Sequence, residues 1–213
     1  ISVMGGLKSL YLNSDIIKDI GFIKGLPALE DLTLEDTAVI SLASLSEMPA
    51  LRSLTLLGNN KVQDFGPVGT APGLTSLSID KMTSQPDPDL SSLSGLEKLD
   101  IKGFMSISSV RGLSGLKELS IHNCNVDQAD ALSSLTGVER LTFYSVWNSQ
   151  GNLRSLDFLK GMTGLKYADF TGNLDGTGWS GYNYLVEVYG DVSSIFNHQG
   201  LEELYLDNGK FEI

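Results

Sequence analysis

The chain of 213 residues is long enough to bury one sizeable hydrophobic core, and its 41% apolar residues and mean hydropathy of +0.03 indicate a chain too polar for an integral membrane protein. No segment approaches the roughly 20 consecutive apolar residues that a membrane-spanning helix needs. The formal net charge of −11 arises from acidic residues spread along the chain, and the absence of a basic run argues against nucleic acid as a partner.

A six-residue pattern, L-x-x-L-x-L or a close variant of it, recurs along the chain. Successive copies begin 22, 22, 23, 22, 20, 22, 27 and 36 residues apart, so the underlying unit has 22 residues. In chain order the copies span 7–12, 29–34, 51–56, 74–79, 96–101, 116–121, 138–143, 165–170 and 201–206. A fixed period of this length predicts a solenoid, here a single domain over 1–213 with about nine repeats.

The end of each copy predicts a short strand, because apolar and other side chains alternate there with a period of two. The predicted strands lie near 10–12, 32–34, 54–56, 77–79, 99–101, 119–121, 141–143, 168–170 and 204–206. Upstream of each copy the apolar spacing becomes three, as in Ile20, Ile23 and Leu26 before Leu29. A period of three favours 3₁₀ or extended turns over an α-helix, and neither part of the unit can bury its apolar face without stacked neighbours.

The consensus unit L-x-x-L-x-L-x-x-N-x-I-x-x-I-x-x-L-x-x-L resembles the leucine-rich-repeat family, in particular the subclass with 22-residue repeats found in bacterial internalins and in a eukaryotic phosphatase regulator. The resemblance covers essentially the whole chain. It implies an α/β solenoid, a right-handed superhelix with a parallel concave sheet and mostly 3₁₀ or extended convex turns. Because the family hosts receptors, adhesins and scaffolds, the resemblance implies binding without naming a partner.

One position departs from the family pattern. The Asn that normally bonds the backbone of adjacent turns is replaced in most repeats, where the occupants are Asp15, Thr37, Asn59, Met82, Phe104, Cys124, Val146, Asn173 and Gly209. We therefore expect less regular turns after the strands, above all near Met82, Phe104 and Val146. Cys124, the single cysteine, is expected to be a small buried residue of this ladder and not a reactive thiol.

Three segments interrupt the repeat. Extra residues around Trp147 and an insert near 174–189, which contains Trp179, follow two of the last strands and should project from one edge of the solenoid. Their aromatic, Gly and Asn content suits an adaptable recognition loop, although the same aromatic residues would also serve to cover an irregular edge. The segment Ser84–Asp89, with two prolines, predicts a rigid surface turn.

The residues that alternate with the buried strand positions are expected to line the concave face. Small Ser and Thr dominate its middle, whereas tyrosine and arginine, the types that most often carry interface energy, gather in the last three units. The predicted partner-binding residues are Arg140, Tyr144, Tyr167, Asp169, Tyr205, Trp147, Trp179 and His122. The simpler interpretation is that any solenoid must place polar residues here.

The sequence lacks the common motifs for catalysis. The chain has two histidines, His122 and His198, and it lacks C-x-x-C, H-E-x-x-H and G-x-S-x-G. The segment Asp175–Gly178 offers one carboxylate where a calcium loop needs several. The sequence thus predicts no catalytic residue, no metal site and no cofactor.

The leading hypothesis is a protein–protein recognition module that binds through the concave sheet and the C-terminal edge loops. The resemblance to internalins, and not the composition, implies a bacterial protein that is secreted or displayed on the cell surface. The alternatives are an intracellular, cytoplasmic scaffold or enzyme regulator with the same repeats, a carbohydrate-binding module that uses Trp147, Trp179 and the tyrosines, and a structural spacer.

Overall fold

The structure is a computed structural model that describes residues 4–58, 61–62, 64–81, 87–144, 146, 156–170 and 198–205. Within these ranges nine strands form a single sheet in which all neighbours are parallel and the strand order follows the chain order. The strands are β1 (Ser9–Asn13), β2 (Asp31–Glu35), β3 (Ser53–Leu57), β4 (Ser76–Asp80), β5 (Lys98–Lys102), β6 (Glu118–His122), β7 (Arg140–Tyr144), β8 (Tyr167–Asp169) and β9 (Glu203–Tyr205).

The register of the sheet stacks equivalent positions of successive repeats. Leu32 of β2 pairs with Leu54 of β3, which pairs in turn with Leu77 of β4. In β2 to β7 the second and fourth residues are buried, whereas the first, third and fifth face solvent to a greater or lesser extent. The period-two pattern of the sequence therefore becomes two continuous apolar rows on the inner side of one parallel sheet.

The described parts of the returns between strands are mostly 3₁₀ in character, as the period of three predicts. In the first return, Leu26 donates its backbone N–H to the carbonyl of Ile23 at 2.8 Å, and Leu29 donates to Leu26 at 3.1 Å. Such i→i+3 bonds point every third side chain the same way, and these side chains are buried. The described returns contain 3₁₀ helices at Gly21–Gly25, Ala43–Glu47, Ser108–Val110, Ala129–Ser134 and Asp157–Gly161, and one α-helical turn at Gly66–Gly69.

A left-handed residue ends several of the strands. Asp36, Gly58, Gly103 and Asn123 each follow directly after a strand and have φ values of 46°, 64°, 77° and 48°. Glycine, asparagine and aspartate are the residue types that adopt this conformation at least cost. Each of them still donates its backbone N–H to a carbonyl group of the next strand. The chain therefore turns away from the sheet at this residue without losing a hydrogen bond between the strands.

Gly103 combines a positive φ with a backbone atom close to the place that a Cβ atom would occupy. A Cβ atom added there would overlap the backbone carbonyl oxygen of Lys81, and the positive φ adds strain for any other L residue. We expect Gly103→Ala to lower the free energy of unfolding by about 1–3 kcal/mol. Urea denaturation followed by circular dichroism measures this change. Gly95→Ala is the matched control, because a Cβ atom at Gly95 meets no described atom within 4 Å; equal losses for the two variants would contradict the steric argument.

In most of the described repeats a buried side chain other than asparagine fills the ladder position, whereas Asp15 in the first repeat is exposed. Thr37, Phe104, Cys124 and Val146 are all buried. The backbone N–H of Phe104 donates to Sγ of Cys124 at 3.3 Å, and the thiol lies 3.1 Å from the carbonyl oxygen of His122. Burial raises the pKa of the Cys124 thiol to about 12. The expectation that Cys124 is a buried ladder residue is confirmed; Met82, Asn59, Asn173 and Gly209 lie outside the described residues.

Asp87 provides the polar ladder contact that the repeats around Phe104 lack. Its carboxylate accepts backbone N–H groups from Met105 at 3.1 Å and Ser106 at 2.7 Å, and it lies 2.6 Å from Nζ of Lys81. The side chains of Lys81 and Asp87 are only 7% and 14% exposed. The prediction of a surface turn at Ser84–Asp89 is thus wrong for Asp87, because its side chain points inward and accepts hydrogen bonds from the following turn. Residues 84–86 lie outside the described residues.

Candidate functional site

The solvent-facing side of the sheet is the surface that the repeat predicts to be concave, and we call it the open face. It consists of the first, third and fifth residues of each described strand, which the register aligns in three rows. The central row is Tyr11, Thr33, Thr55, Ser78, Asp100, Ser120, Thr142, Asp169 and Tyr205. Tyrosine stands at both described ends of this row, and the side chains between them are Ser or Thr except at Asp100 and Asp169.

An arginine and two tyrosines stack across the last three strands. Cζ of Arg140 on β7 lies 3.8 Å from the ring centroid of Tyr167 on β8. The ring of Tyr167 lies 5.4 Å from that of Tyr205 on β9, with the two planes tilted by 43°. A guanidinium over an aromatic face is an attractive arrangement, and each group restrains the rotamers of the next. The cluster is therefore held in place before any partner arrives.

Three tyrosine hydroxyls of the open face donate to carboxylates of the same face. Tyr167 donates to Asp169 at 3.1 Å and Tyr205 donates to Glu203 at 3.0 Å, in each case along one strand. At the other end of the sheet Tyr11 donates to Glu35 on the neighbouring strand. The hydrogen bond to Glu203 raises the pKa of Tyr205, and partial burial followed by the bond to Asp169 raises the pKa of Tyr167. Because a tyrosine hydroxyl ordinarily has a pKa of about 10, these hydroxyls are protonated donors at neutral pH, and the upward shifts act in the same direction.

His122 and Tyr144 occupy the row beside this cluster. Their ring centroids are 6.0 Å apart, and Nε2 of His122 lies 3.5 Å from Oδ1 of Asp100. Burial raises the pKa of Asp100, whereas His122 and Lys98 act in the opposite direction. Tyr144 is among the exposed large side chains of the protein, as are Tyr11 and Tyr205.

The open face carries an excess of negative charge. Three basic residues lie on it, and each is engaged: Lys98 pairs with Glu118 at 2.9 Å, Lys102 pairs with Asp80 at 2.6 Å, and Arg140 covers Tyr167. Seven acidic residues lie on the same face, which gives a formal charge of −4 with histidine neutral. They are Asp31, Glu35, Asp80, Asp100, Glu118, Asp169 and Glu203.

Two solved structures with a similar fold are internalins of Listeria monocytogenes. An internalin, InlF, aligns with a TM-score of 0.65 at 17% identity, over 89% of this chain and 51% of its own. Internalin C2 aligns with a TM-score of 0.64 at 21% identity, over 95% of this chain and 78% of its own. The chain has the leucine-rich-repeat fold. It spans about half the length of InlF. Neither a family model nor a curated protein matches the sequence.

The leucine-rich-repeat sheet brings most of the predicted binding residues together. Arg140, Tyr167, Asp169 and Tyr205 form one connected group, and the pair His122 and Tyr144 lies in the adjoining row. Two further predicted residues, Trp147 and Trp179, lie outside the described residues, as does the insert near 174–189.

Sequence reasoning missed two residues of the open face that contact its tyrosines, and also left out Tyr11. Glu203 accepts the hydroxyl of Tyr205, and Glu35 accepts that of Tyr11. The signal for Glu203 is the spacing Glu-x-Tyr within a strand, which places both side chains on one face. No comparable signal exists for Glu35, because it lies 24 residues from Tyr11 and meets it only through the register of the sheet.

The described ranges contain neither a metal-binding cluster nor a membrane-spanning helix. No group of three or more His, Cys, Asp or Glu side chains there is arranged to hold a metal ion. The same residues contain no helix that is both long enough and apolar enough to cross a bilayer.

Proposed function

We propose that this leucine-rich-repeat domain is a protein–protein recognition module that binds its partner through the open face, with the strongest contacts at the β7–β9 end. The observation that carries the proposal is the stack of Arg140, Tyr167 and Tyr205, in which aromatic and guanidinium groups are ordered yet accessible on one face. Tyrosine supplies a large contact area at low conformational cost, and the stack on Tyr167 orders the longer side chain of Arg140 in advance, which reduces the entropy lost on binding.

The rest of the open face supports the same function. The side chains of Thr33, Thr55 and Ser78 are small and extend only a short way above the strands. A partner can therefore approach the sheet closely between the tyrosines at its ends. Tyr144, beside His122, extends the aromatic area by one row. We propose further that the protein acts outside a bacterial cell, a location that the fold shared with Listeria internalins favours.

A photo-crosslinking experiment tests the proposed site. A photoreactive phenylalanine at Thr142, in the central row between the tyrosines, is expected to capture a protein from bacterial or animal-cell extracts. Adding Tyr144→Ala, Tyr167→Ala and Tyr205→Ala is expected to reduce the captured amount at least about tenfold, since each truncation removes an interface side chain of the type that dominates binding energy. Quantitative mass spectrometry of the crosslinked product provides the measurement.

The control uses three exposed apolar residues outside the open face. Ile16→Ala, Phe22→Ala and Ile40→Ala remove a similar number of large accessible side chains and should leave the capture at Thr142 unchanged. Circular dichroism establishes that both triple variants are folded. If the two variants recovered the same amount of product, the open face would not be the binding surface, and a spacer role or binding through the edge loops would take its place.

A further inference from the structure

We infer that the partner segment that occupies the open face is basic and presents Lys or Arg side chains to its tyrosine–carboxylate pairs. The inference rests on the proposed function and adds the chemistry of the partner to it. Three features of the face support it: its charge balance, the chemistry of the tyrosine–carboxylate pairs, and the distribution of those pairs along the sheet.

The charge balance favours a cationic partner because the face already uses its own cations. Lys98 and Lys102 lie within ion-pair distance of Glu118 and Asp80, and Arg140 lies over Tyr167. The remaining carboxylates therefore outnumber the remaining cations, and the field above the sheet is negative. An acidic partner would pay for like-charge repulsion along the whole face, whereas a basic partner would be attracted during the encounter and after binding.

The tyrosine–carboxylate pairs have the chemistry of a receptor for ammonium and guanidinium groups. A carboxylate has about four lone-pair sites, so Glu203 can accept further hydrogen bonds beside the one from the hydroxyl of Tyr205. The exposed ring of Tyr205, beside Glu203, offers a negative π face to the same cation. Arg140, with its guanidinium 3.8 Å from the ring centroid of Tyr167, shows that this surface holds such a group.

The pairs lie at both described ends of the sheet. Tyr11 with Glu35 lies on β1 and β2, and the pairs that contain Tyr167 and Tyr205 lie on β8 and β9. Asp100 on β5, whose neighbour is His122, adds a carboxylate between the two ends. At about 4.8 Å between neighbouring strands, β2 and β9 are separated by roughly 34 Å along the sheet. An extended segment of about ten residues covers that distance. Several basic side chains of one segment can thus reach several acceptors of the face.

A synthetic peptide with positively charged side chains tests this chemistry. The probe is a fluorescently labelled peptide of about twelve residues with alternating Arg and Ser, compared with the same peptide in which every Arg is replaced by the neutral isostere citrulline. We expect the Arg peptide to bind with an affinity at least about tenfold higher in fluorescence anisotropy at physiological salt, because exchanging each guanidinium for a neutral urea removes the ionic part of every contact.

Matched variants separate the open face from the general negative charge of the chain, which is −11. Asp169→Asn with Glu203→Gln removes two charges from the open face, and Glu47→Gln with Asp130→Asn removes two charges from exposed carboxylates on the returns. The first variant is expected to weaken binding of the Arg peptide about tenfold, and the second by no more than about twofold. Equal weakening by both variants, or equal binding of the Arg and citrulline peptides, would show that the inference is wrong.

The outcome also separates this inference from the proposed function. If the Arg peptide behaves as a non-specific ligand while capture at Thr142 still depends on the tyrosines, the recognition module stands and its partner is not basic. If the Arg peptide responds to Asp169→Asn with Glu203→Gln and competes with the protein captured at Thr142, the inference is supported. An Arg peptide that responds but does not compete would place the basic ligand outside the protein-binding site and would overturn the inference.

Discussion

Asp87→Ala is expected to lower the free energy of unfolding by about 3–5 kcal/mol, because it leaves the buried ammonium of Lys81 without a counter-charge. The same substitution removes the acceptor for two backbone N–H groups, those of Met105 and Ser106. Both side chains of the pair are nearly inaccessible, at 7% and 14% exposure, so water cannot replace the lost contacts at the same positions. Urea denaturation with circular dichroism measures the loss.

Two further variants identify the cause of that loss. Lys81→Met with Asp87→Asn retains a side-chain acceptor for the turn and leaves no unpaired charge, so we expect it to recover most of the stability that Asp87→Ala loses. Asp80→Ala breaks the more exposed pair with Lys102, where the lysine side chain is 51% exposed, and should cost at most about 1 kcal/mol. Similar losses for Asp87→Ala and Asp80→Ala would contradict the buried-pair explanation.

The inward-pointing side chain of Asp87 is a feature of this fold that the sequence pattern does not predict. The change of apolar period from three to two predicts both the 3₁₀ returns and the parallel strands, because each period is set by local backbone geometry. The segment around Asp87 has no such period, and its prolines and carboxylates resemble those of a surface turn. Asp87 contacts Met105 and Ser106, which lie one repeat later along the chain. A pattern of neighbouring residues does not predict a contact across that separation in sequence.

The sequence likewise predicts one part of the candidate site and not another. Strand periodicity predicts that Arg140, Tyr167 and Tyr205 share one face, since each occupies an outward position of its strand. It does not predict that Arg140 lies on the ring of Tyr167, because the two strands are separated by a return of irregular length. The pairing depends on the register between β7 and β8, which the packing of buried side chains beneath the sheet determines.

Phe143→Ala tests that packing and is expected to lower the free energy of unfolding by about 3–5 kcal/mol. Phe143 is 0% exposed, and its ring lies 5.8 Å from that of Phe158 in a stacked arrangement and 5.3 Å from that of Phe170 in an edge-on arrangement. Truncation removes both aromatic contacts and leaves a cavity between adjacent repeats. Phe22→Ala is the control, because Phe22 is 38% exposed and its loss should cost about 1 kcal/mol or less.

The same variant links the core to the binding surface. Phe143 precedes Tyr144 on β7, and Phe170 directly follows β8, so a cavity among these rings loosens the two strands that carry Arg140 and Tyr167. We expect Phe143→Leu, which retains most of the buried volume, to lose less stability and to keep the capture of protein at Thr142. Phe143→Ala should reduce this capture under conditions in which circular dichroism still reports a folded chain. Unchanged capture in that folded variant would show that the order of the open face does not depend on the aromatic cluster beneath it.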